Sequence, residues 1–321
     1  MTSLGGIEVS GTPLTPQVGV LAEDRRHGRS MWRRILAQRP AQIGLIILAF
    51  LFFVAIFAPV LASYDPEKSV IGLETKAQGA VARAAPCIHA LGCPADHIEH
   101  LMGLDGNVID EFARVVFGAR VSLAIGFVTV GGAILVGLLI GAIAGYAGGW
   151  SDNVLMRIMD MFLAFPALLL SIVIVTILGS GLVQAMTAVA IVSIPIYARV
   201  MRASVLSVRE LDYVTAARAL GDSPANILLR RVLPNSLTPM IVQGTLGIGT
   251  AVLEVAALSF LGLGSQPPTP EWGQMIGREY NNLQNAAHLI FFPGIAITLT
   301  VLGFNLLGDG LRDALDPRLN R

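Results

Sequence analysis

The stretch YVTAARALGDSPANILLRRVLPN, Tyr213 to Asn235, decides how this chain is read. It is polar and helix-forming, yet it lies between long apolar runs that carry no charge. Leu211, Val214, Ala217 and Leu220 recur at three- and four-residue spacing, which predicts a helix over 208–220 with one apolar face. Gly221 follows as a residue able to end that helix in the left-handed conformation. Ser223 is placed to cap a second helix, and Pro224 suits its first position, where a missing N–H costs nothing. Residues 225–232 continue it and Leu233-Pro234 ends it. The small Ala216 and Ala217 leave a surface that another protein can approach closely. The same pair would also suit a membrane surface, with Arg230 and Arg231 on lipid headgroups.

The rest of the chain says why such a segment is unusual. Of 321 residues 54% are hydrophobic and 14% charged, against about 25% charged in soluble domains; the mean hydropathy is +0.68. An all-α integral membrane protein is expected. The net charge is zero, which gives no ground for a nucleic-acid partner. Lys68 and Lys76 are the only lysines, and neither follows the glycines of a phosphate-binding loop, so no such nucleotide site is expected here.

Charge-free runs predict six spans: within 40–64, within 121–149, about 154–178, 182–201, 235–261 and 285–307. The third and fourth share one uncharged run, divided at Gly179-Ser180-Gly181. The expected organisation is a polar tail (1–40) with Trp32, Arg33 and Arg34 in an interfacial elbow helix, then a retained first span (41–62). A loop (63–120) follows, then a core of five spans (121–310) that includes the segment 208–234, and a tail (311–321). Arginine crowds the front, the segment 199–231 and the end, whereas Lys68, Lys76, Arg83, Arg114, Arg120 and Arg278 are the basic residues of the other side. That bias predicts both termini in the cytoplasm.

Several residues are candidates for more than packing. Cys87 and Cys93, six apart on the external side, suit a loop disulfide, free thiols, or a metal site with His89, His97 and His100. Residues 105–120 have the spacing of an amphipathic helix on the outer surface. Gly137, Gly141 and Gly145 mark a close-packing seam, either internal or between subunits. Arg157 and Asp160, three apart, share a helix face and can pair or meet substrate. Glu254 is a lone acid within a span: it either lines a pathway, meeting a peptide amino terminus, or bonds the loop 266–273 or a second subunit. Trp272, after Pro267, Pro268 and Pro270, suggests an indole at the membrane boundary.

The spacing of Ala216-Ala217, Gly221 and Leu233-Pro234 resembles the EAA loop of bacterial ABC importer permeases. LEVAALSFLGLGSQPPTPEWGQMI (253–276), LTVLGFNLLGDGLRDALDPRL (299–319), GARVSL (118–123) and FPALLL (165–170) narrow the resemblance to the second permease subunit of dipeptide, oligopeptide and nickel importers, over roughly 30–321. The resemblance implies the type I importer permease fold in a bacterial or archaeal cytoplasmic membrane. It implies a homologous first permease as heterodimer partner, two ATPase subunits that consume the ATP and magnesium, and an extracytoplasmic substrate-binding protein. Thr215, Ala216, Ala217, Gly221, Asp222, Leu233 and Pro234 would couple to the ATPases. Cargo would be di- or oligopeptides, with nickel chelates or glutathione as alternatives. Two positions depart from the family: Thr215 stands where it has a leading Glu, and Val108-Ile109-Asp110 where it has Gly-Arg-Asp.

Other classes fit less well. An ion-coupled carrier or channel would show paired ionisable groups at matching points of two repeats, and Asp160 and Glu254 are not so placed. A membrane-embedded enzyme needs a His, Cys or acid cluster in the spans, where His288 stands alone at one edge.

Overall fold

A computed structural model describes residue 36 and residues 38–315, so the expected elbow at Trp32, Arg33 and Arg34 and the tail beyond 315 lie outside the described residues. Among the described residues the regular structure is helical, with a few isolated bridges in the loop before the second long helix. Five helices among the described residues are long and apolar enough to cross a membrane: α1 (Arg39–Leu61), α2 (Glu111–Ala147), α5 (Leu182–Val208), α8 (Thr238–Phe260) and α10 (His288–Leu315). A sixth crossing exists if the bent pair α3 (Gly149–Leu163) and α4 (Ala167–Leu178) counts as one span. Shorter helices are α6 (Asp212–Ala219), α7 (Pro224–Ile227) and α9 (Trp272–Glu279).

Three expectations are corrected. The helix predicted over 154–178 is two, meeting at 93°. Pro166 explains the break, because it lacks an N–H and drives Phe165 away from helical geometry. The amphipathic segment 105–120 is no separate helix from residue 105: Asp105–Asp110 form a turn, and from Glu111 the chain runs without interruption into α2. At 37 residues, α2 is about 55 Å long, so its first turns stand clear of a ~30 Å hydrocarbon layer. Asp110 starts it by accepting a 2.7 Å hydrogen bond from the Ala113 N–H. Trp272 is not at a surface: its indole is 1% exposed and donates to the Val115 carbonyl at 3.0 Å.

The bundle is held by small residues. A side chain at Gly137 would meet the Tyr197 Cβ at 2.6 Å, and one at Gly145 the Arg202 carbonyl at 2.9 Å, so this seam seats α2 directly on α5. Gly44 on α1 sits equally close to the backbone of Gly303 and Leu307 on α10. Lipid offers no hydrophobic drive for helix association, so this close backbone approach supplies dispersion contact instead.

Backbone accounting explains one arginine in particular. Pro59 inside α1 has no N–H to give the Ala55 carbonyl. Arg120 of α2 supplies the missing donor, with Nε on Ala55 O at 2.5 Å and Nη2 on Ile56 O at 2.8 Å. An unsatisfied carbonyl at the edge of the bilayer would cost several kcal/mol.

Between α1 and α2 residues 62–110 fold into a cap with a small core of Val70, Ala80, Leu104 and Val108. Val108, where the resembled family has Gly, is held at φ +60°. A left-handed β-branched residue costs roughly 1–2 kcal/mol.

Three outcomes are expected. Gly141→Leu, which would drive a side chain into the Ala198 carbonyl and the Met201 Cβ 2.7 Å away, should lower thermal stability in detergent by roughly 1–3 kcal/mol or more. Gly131→Leu, with nothing within 4 Å, should leave the melting curve in place. In the cap, Val108→Gly should be more stable than Val108→Ala by about 1 kcal/mol, the reverse of the usual ranking in loops; paired denaturation curves read the order.

Candidate functional site

The end of the bundle opposite the cap carries the bracket foreseen from the segment 213–235. The long helix α5 runs on to Val208, so the first bracket helix is α6, Asp212–Ala219, rather than 208–220. This moves the apolar face. Val214 and Ala217 are buried, but Leu211 is 48% and Leu220 88% exposed, so the four residues do not share one covered face. Gly221 closes α6 at φ +80°, with its N–H on the Arg218 carbonyl and the Asp222 N–H on Ala217. Ser223 caps α7 by accepting from the Asn226 N–H, and Pro224 takes the first position.

Leu233-Pro234 does not end the second helix. Residues Leu228–Val232 form a π turn in which the Leu233 N–H reaches back to Leu228, and helical geometry continues through Leu233–Asn235. The widened turn absorbs Pro234, which has no N–H for the Arg230 carbonyl.

The bracket is tied to itself and to the spans. Tyr213 Oη donates to the Arg231 carbonyl at 3.3 Å, and Asn235 Nδ2 donates to the same carbonyl at 2.7 Å and to Tyr213 Oη at 3.1 Å. Asn226 donates to Asp222 at 2.5 Å, with Arg231 3.5 Å from the other carboxylate oxygen. The Asn226 amide, the Ser223 N–H and Arg231 hold the Asp222 carboxyl below its ordinary range. Ser204 of α5 donates to the Ser236 carbonyl at 2.9 Å, and Arg209 to Gly145 at the end of α2 at 2.7 Å. Of the candidate coupling residues, Thr215, Ala216, Gly221 and Pro234 are exposed, Asp222 and Leu233 half-buried, and Ala217 buried.

Asp160 pairs with Arg199 of α5 instead of Arg157. The alternative was invisible in sequence because it spans 39 residues. Arg202 of α5 makes a two-pronged pair with Asp152 at the start of α3, at 2.5 and 2.6 Å. Glu254 makes no bond to the loop 266–273: Glu271 there instead accepts from the Gly273 and Gln274 N–H groups, capping α9. Glu254 borders a cavity beside the α3–α4 bend.

At the cap end Cys87 and Cys93 are bonded to each other, with Cα atoms 5.2 Å apart. His97 lies within 4.8 Å of the sulfurs, but the disulfide occupies both. The other two histidines are engaged elsewhere. His89 contacts Glu99 and the His97 carbonyl. His100, 3% exposed, lies between Asp110 (Nδ1–Oδ2, 2.7 Å) and Glu74 (Nε2–Oε2, 3.0 Å), and Tyr64 donates to Glu74 at 2.6 Å. No sequence signal joined these four residues. Two carboxylates facing one ring require both ring nitrogens to donate. Burial pulls the His100 pKa down, but the bonds to Asp110 and Glu74 outweigh it and hold the imidazolium above its ordinary value. Burial and Glu74 likewise keep the Tyr64 hydroxyl protonated.

A bundle of apolar spans with a capped end and a bracketed end defines a polytopic helical membrane protein. Residues 137–321 match the family model described as binding-protein-dependent transport system inner membrane component, and residues 28–86 match the N-terminal TM domain of oligopeptide transport permease C. The dipeptide transport system permease protein DppC of Alkalihalophilus pseudofirmus is 46% identical over 92% of this chain and 93% of its own length. The glutathione transport system permease protein GsiD of Pectobacterium atrosepticum is 40% identical over 91% of each chain. The di/tripeptide transport system permease protein DppC of Pseudomonas aeruginosa is 40% identical over 91% of this chain and 92% of its own. The chain therefore belongs to the family of inner membrane components of binding-protein-dependent transport systems, as an ABC importer permease. Two inward-facing structures of the MetNI methionine ABC transporter match its fold with TM-scores of 0.52 and 0.53, at 21% and 22% identity. They cover 63% and 64% of this chain and 97% and 98% of theirs. The fold is thus the type I importer permease fold.

His100 stabilises the cap through its charge. Its folded pKa lies above the unfolded value, so the stabilisation is complete below about pH 6.5 and is lost as pH rises through the folded value. Hydrogen exchange at the Cys87 and His100 amides, which pair with each other's carbonyls, should quicken over that rise beyond the ordinary chemical increase. His100→Gln should flatten the excess.

Proposed function

We propose that the chain is the second permease of an ATP-driven importer of di- or oligopeptides, forming half of the pathway. The observation that carries the coupling reading is Leu220, a leucine 88% exposed at the tip of a hydrogen-bonded bracket. With Leu211, Leu229, Ala216 and Pro224 also uncovered, the bracket presents an apolar surface on a rigid mount. In the proposed arrangement the bracket end is cytoplasmic, which the arginine bias favours, and both termini lie on that side. Two ATPase subunits grip the bracket, a homologous first permease completes the pathway, and a substrate-binding protein delivers cargo over the disulfide-bearing cap.

ATP and magnesium act in the ATPases, and this chain converts their closure into movement of α5 and α8. The hydrogen bonds from Ser204 to Ser236 and from Arg209 to Gly145 make that conversion stiff. A push on the bracket moves whole spans, as alternating access by rigid-body motion requires. The replacement of the family's Glu by Thr215 leaves the apolar tip as the main contact.

The names of the relatives favour peptides. Glutathione is itself a peptide, and it is the second cargo to test; nickel chelates are the third. Reconstitution of the complex in liposomes supplies the test. Uptake of radiolabelled alanyl-alanine should require ATP, and Leu220→Asp should abolish coupled uptake and weaken ATPase co-purification about tenfold or more, because a charge would enter an apolar contact. Transport without ATP, or full ATPase retention by the variant, would overturn the coupling reading.

A further inference from the structure

A cavity of about 100 Å³ lies where α5, α8 and the α3–α4 bend meet. Its α8 wall is formed by Gln243, Gly247, Thr250, Ala251 and Glu254, and the spacing of Gln243, Gly247, Thr250 and Glu254 places these four on one helix face. The stripe runs about 16 Å along the span axis. Ser193 of α5, and Phe162 and Phe165 of the bend, line the same cavity.

Such a stripe does not suit lipid, which penalises an amide and a carboxylate at this depth. Nor is it buried as internal packing, since Thr250 is exposed and Glu254 and Gln243 are half-buried. Four acids of the bundle are accounted for: Asp152 pairs with Arg202, Asp160 with Arg199, and Asp110 and Glu271 hold helix N-termini. No hydrogen bond joins Glu254 to a described residue. It is an acceptor on the wall of a space the size of a small cationic group.

We infer that Glu254 is the ammonium-reading group of a transit subsite, holding the free amino terminus of a peptide as it passes between the two permeases. The inference rests on the peptide reading above and adds a residue and a charge to it. The cavity admits an ammonium and its first carbon, and the remainder of the cargo lies along the Thr250–Gln243 stripe and against the second permease. Cargo is attracted by charge at one point and otherwise meets weak polar contacts, which lets it leave.

The test uses the complete complex in liposomes with radiolabelled alanyl-alanine as probe. Glu254→Gln should lower uptake about tenfold or more, while ATP hydrolysis stimulated by the loaded binding protein stays at the wild-type level. Glu254→Cys should be similarly impaired, then recover on modification with an anionic methanethiosulfonate and not with a cationic one. That dependence on the sign of the charge separates cargo contact from mere packing, and the cysteine arm stands in should the glutamine variant fail to assemble. Uptake by Glu254→Gln equal to wild type, or equal recovery with both reagents, would overturn the inference and leave the importer reading intact. A wild-type complex that hydrolyses ATP but moves no alanyl-alanine would instead sink the peptide reading, and this inference with it.

Discussion

Everything in this molecule depends on how closely α2 can approach α5. In a bilayer the two helices gain nothing by hiding apolar side chains from lipid, so their association rests on dispersion between backbones. Gly137, Gly141 and Gly145 remove the side chains that would hold them apart. The consequence is mechanical as well as energetic. The cap grows from the start of α2, the bracket hangs from the end of α5, and the glycine seam locks the two helices together. Arg209, reaching from the end of α5 to the Gly145 carbonyl, closes the same junction. A displacement at the bracket therefore has a stiff route along the bundle.

The polar groups follow one rule at both ends. Where the backbone loses a donor, a side chain supplies it, as Arg120 does for the carbonyl that Pro59 abandons. Where a helix begins in a buried setting, a carboxylate satisfies its free N–H groups, as Asp110 and Glu271 do. The two devices meet near the start of α2. There Arg114, 1% exposed, bridges the Pro66 and Pro268 carbonyls and Gln274, while Trp272 packs on Gly118. The hairpin after α8 is thereby fastened to the cap, and the motifs GARVSL and PTPEWGQMI become two sides of one contact.

The spans were legible because hydrocarbon thickness and freedom from charge are properties of composition, and Gly221, Ser223 and Pro224 were legible because caps are local. The failures share a cause. The bend at Pro166 was hidden by an uninterrupted apolar run, although the proline was in view. The partners of Asp160 and His100 lie too far along the chain for helix spacing to reveal. The face drawn through Leu211 and Leu220 assumed one helix where α5 ends and α6 begins, so a pattern was averaged across a joint. Leu233-Pro234 looked like a stop because the π turn that carries the chain through it leaves no mark in composition.

Charge within the spans separates what the fold needs from what it leaves available. Arg202 and Asp152 neutralise each other with two short bonds, so their desolvation is offset within this chain. Arg199 and Asp160 pair at a half-exposed site on the same flank, next to the bend. Glu254 has no such compensation, and it borders a cavity. A carboxylate left without compensation in a span is one the fold of this chain does not itself satisfy. Leu220 stands at the other extreme, an apolar side chain left 88% exposed. Glu254 within the spans and Leu220 on the bracket thus stand out as side chains that the packing of this chain does not itself satisfy.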